Sequence, residues 1–347
     1  MSSKDHNELP IVSIVIPLYK SYRTIGKVLE AITKLYYPKD RIELIFVYYP
    51  TEDNTLDVIK SLQKNYEKLF YDIRIIWRKD KGANVARNIG VKNSRGEYVF
   101  LLNDDVLLDP FTLQHALEIF KKHPDACAVT FPYTLDPPRI WERALFYRHY
   151  GRVSRTRVLN LGCSILKKGI FDKVGYIRED MGPPYSSNDD FEFSARINKA
   201  GMKIYIDGRI VLKDIGSQKN HRPSLDNEQG AFKYVHTIHF LIDLIEYDLT
   251  KGADTYDIVL RSAPISWKIE SFLYLILPPV FITALIICFP AFTILAMLLV
   301  LFPIICYKKL SGKLLIYFML ILGRRILRAY TYMISRLVKI LIRLRVK

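Results

Sequence analysis

Apolar residues along the first 215 positions of this 347-residue chain alternate between two patterns. Short blocks that are apolar throughout, rich in β-branched and aromatic residues, read as strands buried on both faces. The stretches between them place apolar residues three and four apart, as one face of a helix does. The pattern predicts strands at 11–17, 42–49, 73–77, 98–103 and 126–131, and helices over 21–38, 52–69, 84–93 and 110–122. In the first helix Ile25, Val28, Leu29, Ile32 and Leu35 share a face, Ser21 or Thr24 is placed to cap its start, and Pro38 marks its exit. Uniformly apolar strands alternating with helices predict an α/β protein with a mainly parallel sheet covered by helices on both faces.

Ligands of such sheets bind beyond the carboxyl ends of the strands. Those ends carry Pro17 to Tyr19, Tyr48 to Asp53, Trp77 to Lys81, and Asn103 to Asp105. Residues 132–225 are less regular. LGCSILKKGIFDKVG (161–175) predicts a strand then a helix. SNDDFEFSARINKAG (187–201) predicts a helix with an acidic start, in which Phe191, Ala195 and Ile197 can pack. KIYIDGRIVL (203–212) reads as a strand or hairpin, 213–228 is polar, and 229–247 has an amphipathic helical pattern.

From Phe272 to Tyr307 there is no charged residue, and Pro290 lies near the middle. Two short apolar helices, a spanning or re-entrant hairpin within 271–307, fit this better than one span of about 20 residues. A buried pair of soluble helices is the alternative. After Glu270 the chain has eleven Lys and Arg and no Asp or Glu, so +11 of the net charge of +16 lies in the last 77 residues. This asymmetry favours anionic lipid headgroups over nucleic acid. Lys268 before the hairpin and Lys308, Lys309 and Lys313 after it predict both ends, and the N-terminal domain, on the cytoplasmic side of the cell membrane. The tail, 308–347, reads as a basic interfacial helix; a dimerisation helix is its rival, which leaves an oligomer open. The expected organisation is a catalytic domain at 1–225, a helical connector at 226–270, the hairpin and the tail. Cys127, Cys163, Cys288 and Cys306 lack metal-ligand spacing.

The order IVSIVIPLYK, IELIFVYYPTEDNT, KGANVARNIG, GEYVFLLNDDV and NDDFEFSARINKAG resembles the family 2 glycosyltransferases over about residues 10–215. The resemblance implies a GT-A fold, a nucleotide-sugar donor, Mg²⁺ or Mn²⁺, and inversion at the anomeric carbon. It places Asp105 on the metal, with Asp104 at the donor ribose or the metal shell. Asp190 falls on the catalytic base, with Asp189 its acidic partner. Pro17, Tyr19, Tyr49 and Arg87 fall on nucleotide-sugar-binding positions. The chain departs from the family at Asn103, an Asp in the family's motif, and at Tyr48 and Tyr49, where acidic residues or Asn are usual. It also has Lys213 near the place of a metal-binding His, the nearest imidazole being His221. No Q-x-x-R-W follows, which implies a non-processive enzyme. An apolar anchor beside such a domain suits an acceptor linked to lipid, a polyprenyl phosphate or lipid-linked glycan. A degenerate domain serving as a membrane scaffold is the non-enzymatic alternative.

Overall fold

The computed structural model describes residues 9–135, 149–181 and 189–216, with six further helical positions between 265 and 276. The chain divides into two compact units, one of Met1–Glu142 with His149–Leu225, the other of Arg143–Arg148 with Asp226–Lys347. The first unit is built on an eight-stranded sheet. Its apolar blocks form β1 (Val12–Leu18), β2 (Ile42–Tyr48), β3 (Asp72–Trp77) and β4 (Tyr98–Leu102). β2 and β4 flank β1, β3 lies outside β2, and all four run parallel. The register sets Leu18, Tyr48 and Trp77 in one row, so the loops after three strands emerge together.

Helices cover both faces, as expected of strands apolar on both sides. α1 (Ile25–Thr33) buries Ile25, Val28, Leu29 and Ile32. α2 (Thr55–Tyr66) is shorter than the predicted 52–69. Its start is held back because the Asp53 carboxylate accepts hydrogen bonds from the Thr51 hydroxyl, at 2.6 Å, and the Thr55 N–H, at 3.2 Å. α3 (Ala83–Asn93) lies so close to β1 that a Cβ on Gly90 would stand 2.1 Å from a Val15 methyl. That approach buries Asn84, Arg87 and Asn88 along with the apolar face of the helix.

The other half of the sheet departs from simple alternation. β9 (Cys163–Lys167) sits between β4 and β6 (Ala126–Thr130) and runs antiparallel to both. β10 (Lys203–Asp207) is parallel to β6, and β8 (Val153–Thr156) closes this side antiparallel to β10. α4 (Thr112–Lys122), α5 (Ile170–Val174) and α6 (Asp189–Lys199) complete the described helices. A second, three-stranded sheet joins β5 (Val106–Leu107), β7 (Tyr133–Leu135) and β11 (Leu212–Asp214). The 203–212 segment is therefore no hairpin: its two ends belong to different sheets.

Two local expectations are corrected. Neither Ser21 nor Thr24 caps α1 through its side chain, because the Ser21 hydroxyl is engaged elsewhere, as described below. In α6 Phe193 fills the core while Phe191 stays 42% exposed; the buried stripe is Phe193, Ala195 and Ile197. Among the described residues no helix is long and apolar enough to cross a membrane. The expected hairpin, apart from Phe272, Leu273 and Ile276, the expected connector, apart from Ile265, Ser266 and Ile269, and the expected tail lie outside the described residues.

Candidate active site

β4 ends at Leu102, and the chain turns through Asn103, Asp104 and Asp105 into β5. The Asn103 N–H donates to the Gly162 carbonyl at 2.8 Å, which ties the turn to the start of β9. Asp104 is buried and accepts the Ser21 hydroxyl from the loop after β1. The Ser21 N–H in turn donates to the Thr55 hydroxyl at 2.8 Å. The hydroxyl that could have capped a helix thus fixes a carboxylate at the strand end.

Asp105 faces the small sheet. Its carbonyl accepts the Ile215 N–H at 2.7 Å. A Cβ on Gly216 would lie 2.9 Å from Asp105 Oδ2 and 2.9 Å from Asp214 Oδ1. Asp105 from the turn after β4 and Asp214 from β11 therefore approach the same glycine, whose N–H donates to Asp214 Oδ1 at 2.7 Å. Hard oxygen ligands of this kind suit Mg²⁺ or Mn²⁺, ions that usually complete their shell with phosphate and water. Among the described residues no group of three or more His, Cys, Asp or Glu is arranged to hold a metal, so this chain offers Asp105 and Asp214 as a partial set. His221 lies outside the described residues.

The second acidic motif opens α6. Asp190 Oδ1 accepts the Leu161 N–H at 2.8 Å. Burial, and next the charge of Asp189, push the Asp190 carboxyl up to about 7, against the Leu161 hydrogen bond and the charge of Arg87. A carboxylate poised near neutral pH is what a general base needs. Arg87 lies between the two motifs. Its Nη1 donates to Asn84 Oδ1 at 2.7 Å and stands 3.7 Å from Asp189 Oδ2, while Nη2 donates to Asn103 Oδ1 at 3.0 Å.

A cavity of about 460 Å³ opens beyond β1 and β2, lined by Tyr19, Lys20, Tyr22, Tyr49, Asp53 and Lys81 among others. Tyr19 and Tyr49 are neighbours, their ring centres 6.1 Å apart, and the Arg78 guanidinium lies 5.0 Å from the Tyr49 ring. Burial raises the Asp53 carboxyl, but its bonds to Thr51 and Thr55 and the charge of Lys20 outweigh this and hold it below its ordinary value. Tyr48 is not part of this wall. It is buried, its hydroxyl accepts the Thr51 N–H at 3.1 Å, and its ring meets Trp77 edge-on.

The residues expected at the site fall into two groups. Tyr19 and Tyr49 line the cavity, while Pro17 lies within β1 and is not among its lining residues. Asp104, Asp105, Asp189, Asp190 and Arg87 form a charged cluster: Arg87 feels the charge of all four carboxylates. Arg87 itself is buried among Asn84, Asn103 and Asp189 and does not line the Tyr19–Tyr49 cavity. Sequence reasoning missed Ser21, Asn84 and Asp214. Asp214 was findable, one residue after the Lys213 that breaks the expected imidazole position; Ser21 and Asn84 carry no such signal.

Residues 13–179 match the sequence model of glycosyl transferase family 2. These residues form a family 2 glycosyltransferase domain. Among curated relatives, this chain is 29% identical over 126 residues to poly-β-1,6-N-acetyl-D-glucosamine synthase of Staphylococcus epidermidis, covering 36% of this chain and 29% of that protein. It is 25% identical over 221 residues to dolichyl N-acetyl-α-D-glucosaminyl phosphate 3-β-D-2,3-diacetamido-2,3-dideoxy-β-D-glucuronosyltransferase of Methanococcus voltae, covering 58% of this chain and 65% of that one. The chain thus spans less than two thirds of either relative. Among solved structures, a mannosyltransferase from Pyrobaculum calidifontis in complex with GDP-Man and Mn²⁺ superimposes with a TM-score of 0.60 at 17% identity, over 93% of this chain and 87% of that one. TarS 1–349 from S. aureus gives 0.50 at 14% identity, over 73% and 81%. At these identities the likeness establishes the fold, a GT-A-like α/β sheet.

Proposed function

We propose that this chain is an inverting glycosyltransferase that moves a sugar from a nucleotide-sugar donor to an acceptor. One observation carries the reading: two acidic motifs some 85 positions apart in sequence meet at the carboxyl end of one sheet, beside an aromatic-lined cavity. Tyr19 and Tyr49 take the nucleotide base in that cavity, and Asp104, fixed by Ser21, takes the ribose. Asp105 and Asp214 would hold Mg²⁺ or Mn²⁺, which when bound would neutralise charge on the diphosphate. Asp190 takes the proton of the acceptor hydroxyl as its oxygen attacks the anomeric carbon. The bond from that carbon to the diphosphate breaks on the opposite face, which inverts the configuration. The acceptor oxygen must be brought within hydrogen-bond reach of Asp190 for this transfer.

The acceptor we infer is lipid-linked, a polyprenyl phosphate or a growing lipid-linked glycan, reached at the cytosolic face of the cell membrane. The support is the uncharged stretch from Phe272 to Tyr307 and the eleven basic residues after Glu270. If the acceptor is itself an ionised phosphate, Asp190 orients it rather than deprotonating it. The test is to offer the full chain, in detergent micelles, a panel of UDP- and GDP-sugars with polyprenyl phosphate or with water-soluble sugars. Transfer to the lipid by the wild type, and none by Asp190→Asn, is the expected result. Equal transfer to soluble sugars would overturn the acceptor assignment, and no transfer with any pair would favour a scaffold.

A further inference from the structure

Arg87 is 6% exposed. A guanidinium buried this deeply carries its charge regardless of pH, and the cost of desolvating it must be met by fixed partners. The partners come from three places. Asn84, one turn earlier in α3, accepts from Nη1 at 2.7 Å. Asn103, at the end of β4, accepts from Nη2 at 3.0 Å. Asp189, at the start of α6, stands 3.7 Å from Nη1.

The same face of α3 grips the segment that leads towards α6. Asn84 Nδ2 donates to the Arg178 carbonyl at 3.1 Å and the Met181 carbonyl at 2.8 Å. Asn88 exchanges two hydrogen bonds with Ile177, at 2.7 and 3.1 Å, and donates to Glu179 at 2.9 Å. Asn84, Arg87 and Asn88, spaced i, i+3, i+4, form one polar stripe. That stripe is anchored to β1 by the close approach at Gly90.

Asn103 fits this arrangement in a particular way. Its amide nitrogen packs on Gly162, where a Cβ would stand 2.4 Å away. Its oxygen is thereby turned to Arg87. An Asp here would have the same shape but would add a fifth carboxylate around a guanidinium that already faces Asp189, Asp190, Asp104 and Asp105.

We propose that Arg87 is a positioning residue, a strut that fixes the Asp189–Asp190 pair against the strand end at Asn103, and that Asn103 is the neutral partner this strut requires. The departure from the family's first motif Asp is then a matched change, which leaves the Arg87 charge for the acidic pair. The proposal deepens the reading of Asp190 as the base. Among the described residues, the charge of Asp189 on α6 raises Asp190 and that of Arg87 on α3 lowers it, while Tyr133 on β7 and Cys163 on β9, kept neutral mainly by burial, lie near enough to feel the charge of Asp190. Arg87 is the cation among these four.

The test reads Asp190 directly and needs no substrate. The full chain is labelled with ¹³C-carboxyl aspartate, the Asp190 resonance is assigned by its loss in Asp190→Asn, and its midpoint is followed by pH titration. Arg87→Gln is expected to raise the midpoint by about one pH unit or more. Asn103→Asp is expected to raise it by about half as much, and Arg87→Lys, which keeps the charge, to leave it within about half a unit. An Arg87→Gln protein that is folded and has an unmoved midpoint overturns the strut. If Arg87→Gln does not fold, an unmoved midpoint in Asn103→Asp does the same. Failure of the parent reading is distinguishable: Asp190→Asn with full transfer activity would remove the base assignment and leave the titration result standing.

Discussion

Both ends of the main sheet bury carboxylates, and they do so to opposite effect. At the amino end Glu43 is fully buried in β2, yet every partner is supplied by the chain itself. Ser13 Oγ and Arg74 donate to it, the Arg95 N–H donates at 2.8 Å, and Asp72 shares the two arginines. Two guanidiniums and two carboxylates balance. At the carboxyl end the Arg87 guanidinium feels the charge of Asp189, Asp190, Asp104 and Asp105, with Asp214 beside Asp105. The first arrangement is a closed structural network. The second concentrates negative charge that a cation and a diphosphate would complete, and it sits where parallel sheets bind ligands. Burying charge is therefore not what marks this site; gathering carboxylates at the ligand-binding end of the sheet is.

This contrast can be broken by substitution, starting from the largest expected effect. Asp190→Asn should lower sugar transfer about 10²–10⁴-fold, measured as nucleoside diphosphate release with the active donor. An effect under tenfold would remove Asp190 from the chemistry. Glu43→Ala should act on the fold instead. Taking their acceptor from the Ser13 hydroxyl, the Arg95 N–H and Arg74 should cost about 1–3 kcal/mol in a denaturant melt, with donor affinity unchanged in the protein that remains folded. If donor affinity falls as well, the two ends are not independent.

Smaller effects sharpen the picture. Tyr49→Ala should weaken donor binding by about 1–3 kcal/mol, the range for a base stacked on an aromatic ring, read by calorimetry. Tyr48→Phe should leave that affinity alone, since Tyr48 faces the core. The smallest effect concerns stability. The folded-state pKa of Asp190, about 7, lies above its ordinary value of 3.8. The folded chain then binds more protons than the unfolded chain between those values, so this group's contribution is full below about 3.8 and is lost as pH rises through 7. Asp190→Asn keeps an acceptor for the Leu161 N–H and removes the charge. It should stabilise the protein at pH 8 by on the order of 1–2 kcal/mol, and a chemical melt at pH 8 showing no gain would contradict the burial argument.

Much of the first half of the sheet was legible because β1, β2, β3 and β4 are largely apolar and their helices are periodic. The small second sheet was not, since β5, β7 and β11 are two or three residues long and too short to display a period. With it went Asp214, whose closeness to Asp105 depends on β11 pairing with β5 across about a hundred positions. The acidic motifs could be named from sequence, but the direction of Arg87 could not. Arg87 was expected at the donor rather than on an exposed helix face, but its burial with Asn84 and Asn88 follows from Gly90 pressed against Val15. The Tyr48–Tyr49 pair was ambiguous for a similar reason: period two sends one ring to the core and the other to the cavity, and only the register says which.

The most direct test is calorimetric titration of the full chain with UDP- and GDP-sugars, with and without Mn²⁺, in the wild type and in Asp105→Ala. An acidic site built to take a cation predicts that at least one donor binds the wild type more tightly with Mn²⁺, and that Asp105→Ala loses that gain by about tenfold or more. Donor binding that is indifferent to both Mn²⁺ and Asp105 would contradict the account.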